Sequence, residues 1–442
     1  MGRLLWGLPV LCLLAAAPPP ASRSVTWVDL PPAIQTRLEQ SGVTASSFDG
    51  RIATITREAR TRVREGDLDH LVFYLLQSTH FTRLPPIEPA LSAREFTQGL
   101  RSGASRGKLP AAVEARIAAF LKAVDSRDRD PRLSYFRGLI AEAAAGRDRR
   151  QRVSLEYTRA MTFLYGKEFL SRSPEAAAEL YQTRGLSTDT AVEAGYAVHV
   201  GLNVLKSLDR SRRIRRVLIV GPGIDLAPRT GMLEVGPPES YQPWAVIDGL
   251  VAIGLSSLND LDVVGADINP RVVEHLRAAA QAPPVLRLVT GIGDTDSVTL
   301  SQDYREYFSA LGASIGTIRR GAPSAAGHLV KTVAVSAKAA AVLRAERLNI
   351  VTERLSEQPF DLVIATNILP YFDHAELMLA LANMSAMLAP GGVLLHNETR
   401  ASVSEDAAAA GVPAEQNRQV VIATVKGAPP LADTVWLHRR NK

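Results

Sequence analysis

The sequence predicts an α/β fold, a mostly parallel sheet with helices on both faces, behind a helical N-terminal region. Three observations predict it. From Arg215 onward, short apolar runs alternate with amphipathic stretches, the pattern of strands joined by crossover helices. One run, Arg216-Val217-Leu218-Ile219-Val220-Gly221-Pro222-Gly223-Ile224-Asp225, stops abruptly at two glycines. A second, Leu261-Asp262-Val263-Val264-Gly265-Ala266-Asp267, ends in an acid. The first reads as a buried strand leading into a tight turn where a ligand can approach a backbone without Cβ atoms. The carboxylate at the tip of the second can accept both hydroxyls of a ribose. Together they imply a cofactor that contains a nucleoside.

The chain has 442 residues, 46% of them apolar, and a net charge of +6. That length allows about two to three domains, and the charge is mild for its size. The clearest basic cluster, Lys206 to Arg216, reads as a solvated helix-to-strand junction, and no aromatic-interleaved basic stripe of the nucleic-acid kind is present. Cys12 is the only cysteine, so the body holds no disulfide and no thiolate metal site. No clustered histidine spacing replaces it, and no metal is expected.

Residues 1–24 read as an export signal or N-terminal anchor. Arg3 gives the positive start, Leu4 to Ala17 the apolar run, and Pro18-Pro19-Pro20 the break. Cleavage is placed either by Ala15-Ala16-Ala17 or by Ser22-Arg23-Ser24. The body is then exported or membrane-anchored, with a misassigned start and a cytoplasmic protein as the alternative.

Residues 25–208 form the expected helical domain. Ile52, Ile55, Ala59 and Val63 recur at helical spacing, as do Val113, Ile117, Phe120, Leu121 and Val124. Tyr157 to Leu170 is a further helical block, and Ser173-Pro174 signals the next helix start. Thr190 to Leu208 is amphipathic. Residues 209–442 form the expected sheet domain, with strands at Val217 to Val220, Val263 to Asp267, Leu348 to Thr352, Leu362 to Thr366 and Val393 to Asn397. Gln419 to Val425 and Thr434 to His438 suit a closing antiparallel hairpin. Residues 283–344 exceed what the alternation needs and read as an insertion.

The decisive segment is Gln358-Pro359-Phe360-Asp361-Leu362-Val363-Ile364-Ala365-Thr366-Asn367-Ile368-Leu369-Pro370-Tyr371-Phe372-Asp373, followed by Leu388-Ala389-Pro390-Gly391-Gly392-Val393. In this order, glycine turn, acid-tipped strand, FDLVIATNILPYFD and LAPGG, the half of the chain from Arg215 resembles the class I S-adenosylmethionine-dependent methyltransferases. The resemblance implies a Rossmann-like, seven-stranded, mostly parallel sheet and S-adenosylmethionine as cofactor. By position it implies that Gly221 and Gly223 line the methionine part, Asp267 binds the ribose, Glu353 lies near the adenine, and Asn367 sits beside the sulfonium.

The pattern departs from the family in places. Ile219 stands where an acid is frequent, and Asp225 where a third glycine is frequent. In that respect the turn is similar to the polyamine aminopropyltransferases of the same fold, although those usually carry aspartate where this chain has Asn367. Aminopropyl transfer, a catalytically silent binding module and nicotinamide-dependent oxidoreduction are the other readings. LAPGG and FDLVIATN argue against the last.

The connection from Asp225 to Trp244 is long and polar, and reads as a lid or as a surface insertion. As a lid, Asp225, Glu239, Tyr241 and Gln242 would contact the cofactor. Tyr371 either packs or meets substrate. His396 is a base or a structural histidine. Tyr181, Arg184 and Asp189 belong to a cofactor-covering segment or to the surface. Asp267 has its own alternative, a helix N-cap before Pro270. The acceptor is a small molecule or a protein, nucleic acid is not expected, and membrane contact is confined to the N-terminal segment.

Overall fold

The computed structural model describes residues 22–103, 108–126, 130–146, 148–226, 237–321 and 327–441. Seven strands build most of the sheet: β1 (Arg216–Val220), β2 (Asp262–Asp267), β3 (Leu343–Arg347), β4 (Phe360–Ala365), β5 (Leu388–His396), β6 (Ala414–Val425) and β7 (Ala428–Arg439). Their order across the sheet is β3-β2-β1-β4-β5-β7-β6, and Val298–Leu300 adds an eighth strand beside β6. β3, β2, β1, β4 and β5 run parallel. The hairpin β6–β7 and the eighth strand are antiparallel. The sheet thus has one strand more than the seven expected. The extra strand comes from the expected insertion, which otherwise forms a separate three-stranded antiparallel sheet.

Both faces of the parallel strands are buried, which is why they read as near-continuous apolar runs. Val217 and Ile219 of β1, Leu362 and Ile364 of β4 and Val393 and Leu395 of β5 enter one core. Leu218, Val220, Val363, Ala365 and Leu394 enter the other. Helices Val192–Leu208, Gln242–Ala252 and Pro270–Gln281 cover the first face, and Pro32–Gln40 and His374–Met387 the second.

Strand β3 lies five residues before its expected start. Leu348 to Thr352 is instead the turn after it. The reason is its alternation: Leu343 and Ala345 are buried, while Arg344 reaches out to Asp262 (2.8 Å) and Glu357 (2.7 Å). A half-buried edge strand carries less apolar signal than the turn that follows it.

Chain segments on the helical side of the expected boundaries pack on the sheet. Ser22–Ser24 pairs antiparallel with Glu353–Leu355, and the Val25 amide donates to the Thr352 carbonyl (3.0 Å). Ser22–Ser24 and Val25 are thereby joined to the segment after β3. Cys12 and the rest of residues 1–21 lie outside the described residues. No helix among the described residues is long and apolar enough to cross a membrane. At the other end of the helical region, Val192–Leu208 packs on the sheet, as do Ile34, Leu38, Phe48 and Ile55. A separate helical core begins only at Leu68 and runs to Tyr165. Prolines at the first turn open several of the helices, with Glu88, Asp130 and Ser173 capping those that start at Pro89, Pro131 and Pro174.

The long helix Ala45–Gln77 joins the two cores. Its residue Gly66 meets the segment Gly185–Ser187 backbone to backbone. A Cβ on Gly66 would lie 2.0 Å from the Leu186 carbonyl oxygen, and one on Gly185 would lie 2.1 Å from the Gly66 nitrogen. The Leu186 amide donates to the Arg62 carbonyl (2.7 Å). In an open helix Gly→Ala stabilises by about 0.5–1 kcal/mol. Here the sign reverses: Gly66→Ala lowers stability by about 1–3 kcal/mol, measured by urea denaturation. A neutral or stabilising result would show that the crossing is not close-packed.

Candidate functional site

A cavity open to solvent lies over the carboxyl ends of β1, β2 and β4. Its floor is Val220–Gly223, Ala266–Asn269, Leu348–Val351 and Thr366–Ile368, and its roof is Ile55, Glu58, Ala59 and Arg62 of the long helix with Leu186–Thr190. The sheet order reverses between β1 and β4, and in open parallel sheets ligands bind in that crevice.

The glycine turn forms its centre. Gly221 and Gly223 have φ of 66° and 71°, values that L side chains rarely adopt. A Cβ on Gly221 would sit 2.5 Å from Ile368 Cγ2, and one on Gly223 would sit 2.4 Å from the Thr188 carbonyl oxygen. The Ile224 amide donates to that same carbonyl (2.8 Å). Gly223 therefore admits the protein's own roof as well as leaving its backbone bare toward the cavity.

Asp267 is 5% exposed. Its Oδ1 accepts from the Asn269 amide (2.8 Å) and its Oδ2 from the Gly223 amide (3.4 Å). Burial pushes its carboxyl up to about 7, against the pull of those amides. Asn269, not Asp267, caps helix Pro270–Gln281, accepting from the Arg271 amide (3.1 Å). The N-cap alternative for Asp267 is thereby removed.

Beyond β4, Asn367 adopts φ of 61°, the left-handed region that Asn tolerates better than other side-chain residues. Asn397 holds it from both sides, its Oδ1 accepting from the Asn367 amide (2.8 Å) and its Nδ2 donating to Asn367 Oδ1 (2.8 Å). Asn397 Nδ2 also donates to Asp433 (2.9 Å). Thr366 Oγ1 accepts from Gln242 Nε2 (2.6 Å). The following turn, Leu369–Tyr371, is gripped by two guanidinium groups. Arg62 donates to the Tyr371 carbonyl (2.6 Å), and Arg400 to those of Leu369 (2.6 Å) and Phe372 (3.2 Å). The Tyr371 ring stands edge-on to Tyr181 at 5.1 Å.

Gly221, Gly223, Gln242, Asp267, Asn367 and Tyr371 thus line one cavity, although the sequence spreads them over four segments. Four expected residues do not line it. Glu353 opens the short strand that pairs with Ser22–Ser24, and its Oε2 accepts from the Asn349 amide (2.9 Å). Its expected place beside the cavity is taken by Leu348–Val351, because β3 ends earlier than expected. Asp225 and Glu239 bridge each other, the Asp225 amide donating to the Glu239 carbonyl (2.9 Å). Their side chains are buried, and burial pushes Asp225 up to about 7 and Glu239 up to about 8, with Arg132 opposing. Tyr241 borders a second, small and mainly apolar cavity. Residues 227–236 of this connection, Arg229, Thr230 and Glu234 among them, lie outside the described residues.

His396 resolves as structural. It is buried against His438, with Nε2 to Nε2 at 2.9 Å. The Glu398 amide donates to His396 Nδ1 (3.1 Å), and His438 Nδ1 faces the Val412 carbonyl (2.9 Å). Neutral rings satisfy all these contacts, with His396 donating to His438. Burial pushes the pKa of both rings below the ordinary histidine range.

The roof is what sequence reasoning missed. Ile55 and Ala59 were read as core, and Glu58 and Arg62 lie at the same helical spacing. Asp189 reaches the cavity as the covering-segment alternative required, whereas Arg184 pairs with Asp69 (2.7 Å). The run Gly66-Asp67-Leu68-Asp69-His70 was a usable signal, since it puts three polar side chains into buried helix positions.

No protein-family model matches the sequence, and no curated protein matches it. Solved structures similar to the chain include a TehB-like S-adenosylmethionine-dependent methyltransferase from Corynebacterium glutamicum, with 14% identity over 56% of this chain and 88% of that one, at a TM-score of 0.27. The N-methyltransferase NodS from Bradyrhizobium japonicum shares 12% identity over 57% of this chain and 98% of its own, at 0.29. Magnesium protoporphyrin IX methyltransferase from Synechocystis shares 9% identity over 62% and 99%, at 0.30.

The raised Asp267 carboxyl gives a signed prediction. Its folded pKa lies above its unfolded one, so its contribution to stability is fully present below the unfolded value and is lost as pH rises through about 7. Asp267→Asn should therefore gain stability relative to the wild type as pH rises from about 4 to about 7, and keep that gain above it. Paired urea titrations across that range check it. A constant difference would mean that Asp267 ionises normally.

Proposed function

We propose that this chain transfers a methyl group from S-adenosylmethionine to a small-molecule or protein acceptor. What carries the reading is the cavity at the β1/β4 crevice, where a positive-φ glycine turn, a buried strand-tip carboxylate and the left-handed Asn367 converge. The donor set fits the cofactor. Asp267 would accept the two ribose hydroxyls, and Leu348 and Ile350 would offer apolar surface to the adenine. The Gly221–Gly223 backbone and Gln242 serve the methionine end, and the Asn367 side chain and backbone serve the neighbourhood of the sulfonium.

When bound, S-adenosylmethionine supplies a methyl already activated by positive sulfur. The protein's task is then mainly to position the acceptor in line with it and to exclude water. Arg62 and Arg400 hold the Leu369–Tyr371 turn, so Tyr371 is presented from a fixed backbone. The roof residues Glu58 and Arg62 face the same space and are the groups an acceptor meets first from the helical side. The apolar segment before Ser22 is read as an export signal or anchor, which cell fractionation of the full chain tests.

Purified protein should melt at higher temperature with S-adenosylmethionine or S-adenosylhomocysteine, because a ligand of the native state stabilises it by mass action. Decarboxylated S-adenosylmethionine and NAD serve as competing ligands in the same assay. Asp267→Ala should weaken binding roughly ten- to hundredfold. No shift at millimolar cofactor with a folded sample would sink the reading, and a larger shift with the decarboxylated form would redirect it to aminopropyl transfer.

A further inference from the structure

The long helix does more than roof the cavity. Asp67, one residue past the Gly66 crossing, is 4% exposed and stands behind the ribose carboxylate. Its Oδ1 accepts from Asn269 Nδ2 (3.1 Å). The other end of that amide is committed, because Asn269 Oδ1 caps the next helix at the Arg271 amide. The Asn269 side chain therefore has one orientation, and its backbone amide donates to Asp267 Oδ1 (2.8 Å). Asn269 itself borders the cavity. A continuous buried chain of hydrogen bonds thus leads from the helical region to the tip of β2.

We propose that Asp67 is a positioning residue for the cofactor's ribose, acting through Asn269 on Asp267, so that the nucleoside site is complete only when the helical region is docked on the sheet. The proposal rests on the cofactor reading above. Asp67 also acts electrostatically. The groups facing it are Arg271, Tyr135, Asn269 and Glu142, from the helix after β2 and from helix Pro131–Ala144. The Arg271 guanidinium lies over the Tyr135 ring at 3.8 Å. Asp267 in turn faces Asp67, whose negative charge opposes ionisation of Asp267, while the amides of Gly223 and Asn269 favour it. A carboxylate at Asp67 thus keeps the ribose acid oriented and at the same time makes it harder to ionise.

The test uses the whole protein and S-adenosylhomocysteine as probe, with the dissociation constant measured by calorimetry from about pH 5.5 to about pH 8.5. The wild type should bind more tightly as Asp267 ionises, with a midpoint near its raised value of about 7. Asp67→Asn and Asp67→Ala both remove the opposing charge, so both should move the midpoint down, by on the order of half a pH unit. Asp67→Ala also leaves the Asn269 amide without its acceptor and should lose about tenfold in affinity at the alkaline end. A wild-type midpoint in whichever variant is folded overturns the proposal, and melting curves identify the folded ones. A wild type that does not bind the probe removes the cofactor reading and this inference together. A wild type that binds, with Asp267→Ala weakened and both Asp67 variants unchanged, removes this inference alone.

Discussion

The contact on which the site depends is the backbone crossing of Gly66 with Gly185 and Leu186. At that point the long helix and the covering segment approach without any intervening side chain. The next helical turn then reaches both sides of the cavity. Asp67 bonds to Asn269 at the tip of β2, Asp69 pairs with Arg184, and His70 Nε2 accepts from the Thr188 amide (3.2 Å). Thr188 in turn lies over Gly223, the second glycine of the β1 turn. A bulkier residue at Gly66 would lever the helix away and loosen all three contacts, because close-packed interfaces accommodate extra atoms only by shifting.

The cavity concentrates groups whose placement costs stability. Asp267 is buried with a raised pKa, and Asp67 lies behind it with its own pKa raised by burial. Asn367 and both glycines of the turn hold left-handed backbone conformations, unusual for Asn367. Buried like charges and uncommon dihedrals cluster where a site must be pre-organised before its ligand arrives. The surrounding sheet offsets these costs through two apolar faces and an ion-pair cluster at the amino ends of β1, β2 and β3, where Arg216 and Arg344 bind Asp262 and Glu357. That cluster also places Arg216, one member of the basic junction noticed in the sequence, in an internal role.

Of the two readings open for His396, base or structural histidine, the packing decides for the second. His396 stands at the end of β5, beside the site in sequence terms, yet it is sealed with His438 in a buried pair that favours neutral rings. The pair joins β5 to β7, and its hydrogen bonds end on backbone groups of Glu398 and Val412. It locks the antiparallel hairpin to the parallel sheet rather than serving chemistry.

Several features were legible in the sequence because they are local. The glycine turn, the acid-tipped β2, the strand-four segment and the closing hairpin each depend on residues within a few positions of one another, and their order implied the sheet. What failed did so for non-local reasons. Strand β3 was misplaced because its polar alternation is balanced by Asp262, far away in the chain, and by Glu357, beyond the following turn. Glu353 was assigned to the cofactor for the same reason. Asp225 and Glu239 turn away from the cavity through a mutual bridge that no periodicity encodes, and Tyr241 borders the second cavity. Above all, Asp67, Arg62 and Thr188 become part of the site only because one glycine crossing brings a distant helix over the carboxyl end of the sheet. By itself the sequence determined the strand ends and the chemistry they display; only the tertiary structure decided what covers them, because docking two buried surfaces depends on shape and desolvation across the whole chain rather than on local pattern.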